Sequence, residues 1–207
     1  MSIDRDKILF AILAGGQSKR FGGGFKTFSK IDGEKILDII IKKLKKYSRD
    51  IIINANSLKD FKGINQPIVA DKLNGFLGPL AGIHASMSYA KNKYINKEWI
   101  FTVPSDTPYL PENLLDKFLE TFDNQNIKIL IARSNHRHHP VIAMWHISLL
   151  QNLEDELKSK NYKIMYWVKK HNYKFVEFNS DQEKNFFNIN TKEDLSNAKK
   201  INIFNFI

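Results

Sequence analysis

Short apolar, β-rich runs recur along the chain at 7–13, 51–54, 67–70, 99–103 and 127–132. Most intervals between them carry apolar residues at helical spacing, which predicts helices over 35–47, 82–90, 111–122, 148–160 and 163–171, with a strand at 174–178. Such alternation predicts a single α/β domain in three layers, a mostly parallel sheet covered on both faces. In the helix at 35–47, Lys42, Lys43, Lys45 and Lys46 stand between Ile40, Ile41 and Leu44, the pattern of one buried and one solvated face. Thr191 and Asp194 have capping-box spacing and open a last helix, Asp replacing the usual Glu. The tail after Lys200 is expected as an edge strand or a loosely ordered end. No internal repeat or linker divides the chain.

Ligands of open α/β sheets bind beyond the carboxyl ends of the strands, so the residues ending each run carry the candidate chemistry. The first run leads into Leu13, Ala14 and Gly15 and then a loop to Lys26 with further glycines and Arg20. Glycines there let backbone N–H groups approach an oxyanion, while Arg20 and Lys26 add positive charge. The loop is neither a Walker A sequence nor the dinucleotide fingerprint, which removes the main support for P-loop ATPase and hydride-transfer chemistry. Asp106 directly follows the apolar run 99–103 between Pro104 and Pro108, where a carboxylate is a rigidly placed hard oxygen ligand; a turn or capping role is the alternative. Asp71 ends its run in the same way, with an Asx-turn as its alternative.

Composition narrows the setting. The chain has 207 residues, 43% hydrophobic, enough for one well-cored domain, and no cysteine, which excludes disulfides, zinc–thiolate sites and thiol nucleophiles. The run at 8–14 follows Asp4 and Asp6 and no small-x-small cleavage site succeeds it, so it is expected as a buried strand rather than a signal peptide; a cytoplasmic protein without a membrane span is expected. A net charge of +10 would suit nucleic acid, but the lysines are spread by a general Lys, Asn and Ile bias and suit small anionic substrates equally well. No nucleic-acid partner is expected. The cluster His136-Arg137-His138-His139-Pro140 matches no usual zinc spacing and is expected as a surface turn between two strands. Trp99, Trp145 and Trp167 are expected in the core.

Leu13-Ala-Gly-Gly-x-Ser-x-Arg20-Phe-Gly with Lys26 resembles the opening signature of the MobA-type nucleotidyltransferases, the molybdenum-cofactor guanylyltransferases. Residues 53–56, Ala70-Asp71, Gly78-Pro79-Leu80-Ala81-Gly82 and 104–111 follow in that family's order. His139-Pro140 and Phe187-Asn188-Ile189-Asn190-Thr191 resemble its pterin-side segments, so the likeness spans about residues 8 to 198. Phe25 stands where the family usually carries Asp or Asn.

The resemblance implies a Rossmann-like nucleotidyltransferase domain that transfers GMP from GTP to the phosphate of molybdopterin, releasing pyrophosphate. By it, residues of about 1–110 serve GTP and Mg²⁺, and those of about 111–200 serve molybdopterin. Leu13, Ala14, Gly15 and Lys26 would hold GTP; Asn54, Asp71 and the loop with Gly78, Pro79 and Leu80 would contact ribose and guanine. Asp106 would bind Mg²⁺, and Arg20, Lys26 and Asp106 would carry catalysis. Arg137, His139, Asn188 and Asn190 would meet the pterin. Other molybdenum-cofactor biosynthesis proteins are implied as partners, and a monomer is expected. Two alternatives stay open: CTP- or UTP-dependent transfer to a sugar or alcohol phosphate, and a non-catalytic nucleotide-binding protein.

Overall fold

The computed structural model describes residues 3–15, 26–73, 75, 78–179 and 184–204. In chain order its strands are β1 (Ile8–Leu13), β2 (Lys30–Ile31), β3 (Glu34–Lys35), β4 (Ile51–Asn54), β5 (Ile68–Val69), β6 (Trp99–Pro104), β7 (Ile129–Ser134), β8 (Arg137–His146) and β9 (Tyr173–Phe178). Seven of them make one sheet in the order β5-β4-β1-β6-β8-β7-β9, and β2 pairs β3 in a small hairpin. Neighbours in the large sheet run parallel except where β8 lies antiparallel to β6 and to β7. From β1 the chain first builds outward to β4 and β5, then crosses back to β6. The strand order therefore reverses between β1 and β6, the point beyond whose carboxyl ends sheets of this kind bind ligands.

Helices cover both faces. α1 (Ile36–Lys45), α3 (Leu114–Thr121) and α6 (Lys192–Phe204) pack on one side; α2 (Pro79–Lys93), α4 (Leu150–Lys158) and α5 (Ile164–Val168) pack on the other. α1 buries Ile36, Leu37, Ile40, Ile41 and Leu44, spaced one helical turn apart, and turns its lysines outward, with Lys43 and Lys46 reaching Glu112. All three tryptophans are buried, as expected. Trp145 Nε1 donates to Thr102 Oγ1 at 2.9 Å, so its polar edge is satisfied while burial of the ring contributes on the order of 5 kcal/mol.

Three elements depart from the periodicity. α2 starts at Pro79, three residues before the expected Gly82, because Pro79 suits the first helical turn and Gly78 at φ 70° supplies the break before it. The cluster 136–140, expected as a surface turn between two strands, is instead largely strand: β8 begins at Arg137, and its polar first half, Arg137 to Pro140, hid that start. Asn135 and His136, both at positive φ, form the two-residue hairpin tip, and the β7–β8 register slips after Ile131 where Pro140 cannot donate to the ladder. The segment after Lys200, expected as an edge strand or loose end, continues α6 to Phe204. The capping box does form: Asp194 N donates to Thr191 Oγ1 at 3.0 Å, and Asp194 Oδ2 accepts from the N–H groups of Asn190 and Thr191.

On α2, His84 is 3% exposed, its Nδ1 has no hydrogen-bond partner among the described residues, and its Nε2 lies 3.6 Å from Glu154 on α4. Burial holds its pKa below 6.5, with Glu154 opposing and Lys72 and Lys158 reinforcing the shift. Burial likewise lowers His146 and His171. Below pH 6.5 the unfolded chain binds more protons than the folded one, so the contribution of these groups is whole above that pH and is lost as pH falls. The melting temperature is expected to drop between pH 7 and pH 5. A His84→Leu variant should show a shallower slope over that window; an unchanged slope would remove His84 from the account.

Candidate functional site

Ala14 N donates to Asn54 O at 2.8 Å and Ser105 N to Leu13 O at 3.1 Å, which sets the ends of β4, β1 and β6 side by side. Leu13, Ala14 and Gly15 thus stand at the reversal point of the sheet. The rest of the glycine loop, residues 16–25 with Arg20 and Phe25, lies outside the described residues. Lys26 re-enters as the first residue of a 3₁₀ turn, Lys26–Phe28. Its Nζ donates to Asp106 Oδ2 at 2.7 Å and to Asn190 Oδ1 at 2.9 Å. Lys26 and Asp106 are mostly shielded, their side chains 18% and 16% exposed, so the pair is stronger than an exposed one. Ile189 N donates to Asp106 O at 2.9 Å, and Thr107 Oγ1 donates to Asn188 Oδ1 at 2.6 Å. These bonds tie the segment at 188–190 to the end of β6. They join groups 80 residues and more apart into one cationic and oxygen-rich cluster.

Asp194 adds a second carboxylate behind Lys26. Burial pushes its pKa up, but hydrogen bonds from Asn190 N and Thr191, together with the Lys26 charge, leave it below the usual carboxylate value.

A second group forms at the ends of β4 and β5. Asn54 is 3% exposed, and its Nδ2 donates both to Val69 O at 3.1 Å and to Asp71 Oδ1 at 2.8 Å. Asn56 closes a ring with Asp71: its Nδ2 donates to Asp71 Oδ2, and its Oδ1 accepts from Asp71 N, both at 2.8 Å. Asp71 is therefore held by two amides rather than by a simple Asx-turn. The Asn54 carbonyl faces α2, where a Cβ on Gly82 would lie 2.4 Å from Asn54 Oδ1. The first turn of α2, with Gly78, Pro79 and Leu80, has no side-chain cap and begins beside this group.

A third group lies between the start of β8 and the 188–190 segment. A cavity of about 180 Å³ is lined there by Pro104, Arg137, His138, His139, Pro140 and Asn188 among others. His139 Nε2 shares a hydrogen bond with Ser134 Oγ at 2.8 Å, and its ring stacks on Phe186 at 4.4 Å and 14°. His138 stacks on Phe175 instead. His138 and His139 thus serve packing and orientation, and among the described residues no His, Cys, Asp and Glu cluster fit to hold a metal is found.

The structure therefore brings together Lys26, Asp106 and Asn190; Asn54, Asp71 and the 78–82 turn; and Arg137, His139 and Asn188. Sequence reasoning passed over Asn56, Thr107, Ser134 and Phe186 as members of the site. Asn56 was recoverable, because it lies two residues from Asn54 and so faces the same way along an extended chain. The other three act through partners distant in sequence and left no local signal.

A glycine loop after β1, a carboxylate after β6 and a lysine between them, set at the reversal point of a parallel sheet, define a nucleotide-handling α/β domain of the nucleotidyltransferase kind. The chain belongs to the MobA-like NTP transferase family, whose model matches residues 10–174. It is 32% identical over 203 residues to the molybdenum cofactor guanylyltransferase of Nitrobacter hamburgensis, covering 97% of each chain. It is 33% identical over 184 residues to that of Shewanella putrefaciens, covering 88% of this chain and 91% of the relative. The fold is similar to that of molybdopterin-guanine dinucleotide biosynthesis protein A from Archaeoglobus fulgidus, with a TM-score of 0.71, 20% identity, and 93% and 97% of the two chains covered. Among the described residues no helix is long and apolar enough to cross a membrane.

Proposed function

We propose that this chain transfers GMP from GTP to the terminal phosphate of Mo-molybdopterin and releases pyrophosphate. The observation that carries the reading is the Lys26–Asp106–Asn190 cluster at the reversal point of a sheet whose sequence relatives are named guanylyltransferases. Residues up to about 110 supply the nucleotide side and those from about 111 to 200 the acceptor side. Leu13, Ala14 and Gly15 present backbone groups at the end of β1, and Lys26 supplies the cation for the triphosphate. Asp71, fixed by Asn54 and Asn56, suits a ribose hydroxyl or a guanine N–H, because a carboxylate held on two sides keeps lone pairs to accept more.

The donor set fits Mg²⁺. Asp106 offers a hard carboxylate at the end of β6, and Mg²⁺ takes one or two carboxylates and completes its shell with water and substrate phosphate. Asp106 would hold it, and there it would neutralise charge developing on the transferred phosphoryl group. An ionised acceptor phosphate needs no general base, so the protein's share is to align it with the α-phosphorus and to spread the charge through Lys26 and Arg20. Arg137, His139 and Asn188 at the 180 Å³ cavity suit an anionic acceptor. GTP, Mo-molybdopterin and the proteins that deliver it are the partners in this reading, which takes the protein as a cytoplasmic monomer without a nucleic-acid partner.

Thermal unfolding with Mg²⁺ and GTP, ATP, CTP or UTP in turn tests the reading. A nucleotide at about 100 times its Kd stabilises the fold by roughly 2.7 kcal/mol, a shift of about 5 to 11 °C at this size. GTP alone is expected to give that shift, and Asp106→Ala to diminish it. A selective response to CTP or UTP would instead assign the chain to sugar- or alcohol-phosphate chemistry, and no response to any would leave only a partner-binding role without catalysis.

A further inference from the structure

Thr107 is fully buried, yet it sits one residue after Asp106 and its hydroxyl has one proton to give. That proton goes to Asn188 Oδ1 at 2.6 Å, because the other acceptor nearby, Asp106 Oδ1, is 3.5 Å away. A carboxamide is planar, with its oxygen and its NH₂ group diverging from one carbon. Turning Oδ1 inward to Thr107 therefore turns Nδ2 outward. Asn188 is exposed and lines the cavity at the start of β8, next to Arg137, and no acceptor among the described residues takes its NH₂ group. The backbone bond from Ile189 N to Asp106 O keeps the two segments in this register, so the amide cannot follow the ligand by sliding.

We propose that Thr107 is a positioning residue which fixes Asn188 as a hydrogen-bond donor, so that the cavity presents Asn188 NH₂ together with the Arg137 guanidinium to an oxygen acceptor. The group recognised is an anionic phosphate oxygen of the acceptor substrate. Two donors flanking one cavity favour it, and the bond from Asn188 to Thr107, the neighbour of Asp106, ties that cavity to the nucleotide cluster. A substrate offering an N–H at that point would find no acceptor on Asn188. The inference rests on the guanylyl-transfer reading for the identity of the acceptor, but the polarity assigned to Asn188 is its own.

Asn188→Asp separates the two. Aspartate can still accept from Thr107, but it sets an anionic oxygen where the NH₂ group stood. With molybdopterin as acceptor, Asn188→Asp and Thr107→Val are both expected to raise its KM at least about tenfold, as expected for losing a hydrogen bond to a charged group. Thr107→Ser, which keeps the hydroxyl, should restore KM to within about threefold on the same scale. The thermal shift with GTP should stay as in the wild type for all three, which a merely structural loss at the end of β6 would not allow. Asn188→Asp is a surface change and reads the polarity even if Thr107→Val does not fold. An unchanged acceptor KM in Asn188→Asp, with the wild type active, would overturn the inference. A wild type that cannot use molybdopterin would overturn the guanylyl-transfer reading instead.

Discussion

Lys26→Ala is expected to cut guanylyl transfer at least ~100-fold, the loss of roughly 2.7 kcal/mol that follows deletion of one preorganised charge at a phosphoryl-transfer centre. Its Nζ lies 2.7 Å from Asp106 and 2.9 Å from Asn190, so three chain segments meet on one ammonium. The same change should move the melting temperature by no more than about 4 °C, corresponding to about 1 kcal/mol for a domain of this size. Both side chains keep some exposure, so once the lysine is gone water can reach the Asp106 carboxylate. Product formation from labelled GTP, measured beside thermal unfolding, checks both halves. A well-folded variant with near-normal turnover would take Lys26 out of the catalytic set; a collapse in stability would make it a structural ion pair.

Gly82→Ala should do the reverse, harming the fold and the nucleotide site together. In a helix interior this substitution ordinarily gains about 1 kcal/mol. Here the new Cβ would lie 2.4 Å from Asn54 Oδ1. Asn54 cannot swing aside cheaply, because it is buried and its NH₂ group is committed to Val69 O and Asp71. Overpacking of this kind costs about 1–3 kcal/mol, and the break in the Asn54–Asp71 bond adds about 1 kcal/mol more. After the helical gain is subtracted, a net loss of about 2 kcal/mol and a melting temperature lowered by about 4–8 °C are expected. GTP should then stabilise the variant less than the wild type, since Asp71 loses one of its two side-chain supports. A Gly82→Ala protein as stable as the wild type, with a full GTP shift, would show that Asn54 is free to move.

The layers of the fold were legible in the chain because each element carries its own period. The apolar runs that became β1, β4, β5, β6, β7 and β9 needed no partner to be recognised, and the α1 stripe from Ile36 to Leu44 declared its buried face. The start of β8 was not legible, since its polar first half, residues 137–140, reads as a turn and becomes strand only through pairing with β7. The candidate carboxylates were also readable: Asp106 and Asp71 stand where strands end, and strand ends are where such sheets bind ligands.

What the sequence determined by itself is the α/β class, the capping box that opens α6 and the candidate groups, because local spacing, turn chemistry and burial pattern are properties of neighbours along the chain. What only the tertiary structure decided is which groups act together. Lys26 joins Asp106 and Asn190, Asn56 completes the hold on Asp71, Thr107 sets the direction of Asn188, and Phe186 and Ser134 orient His139. Each of these contacts closes across strand ends that the sheet brings together. A hydrogen bond depends on distance and angle in space, which residue spacing does not encode.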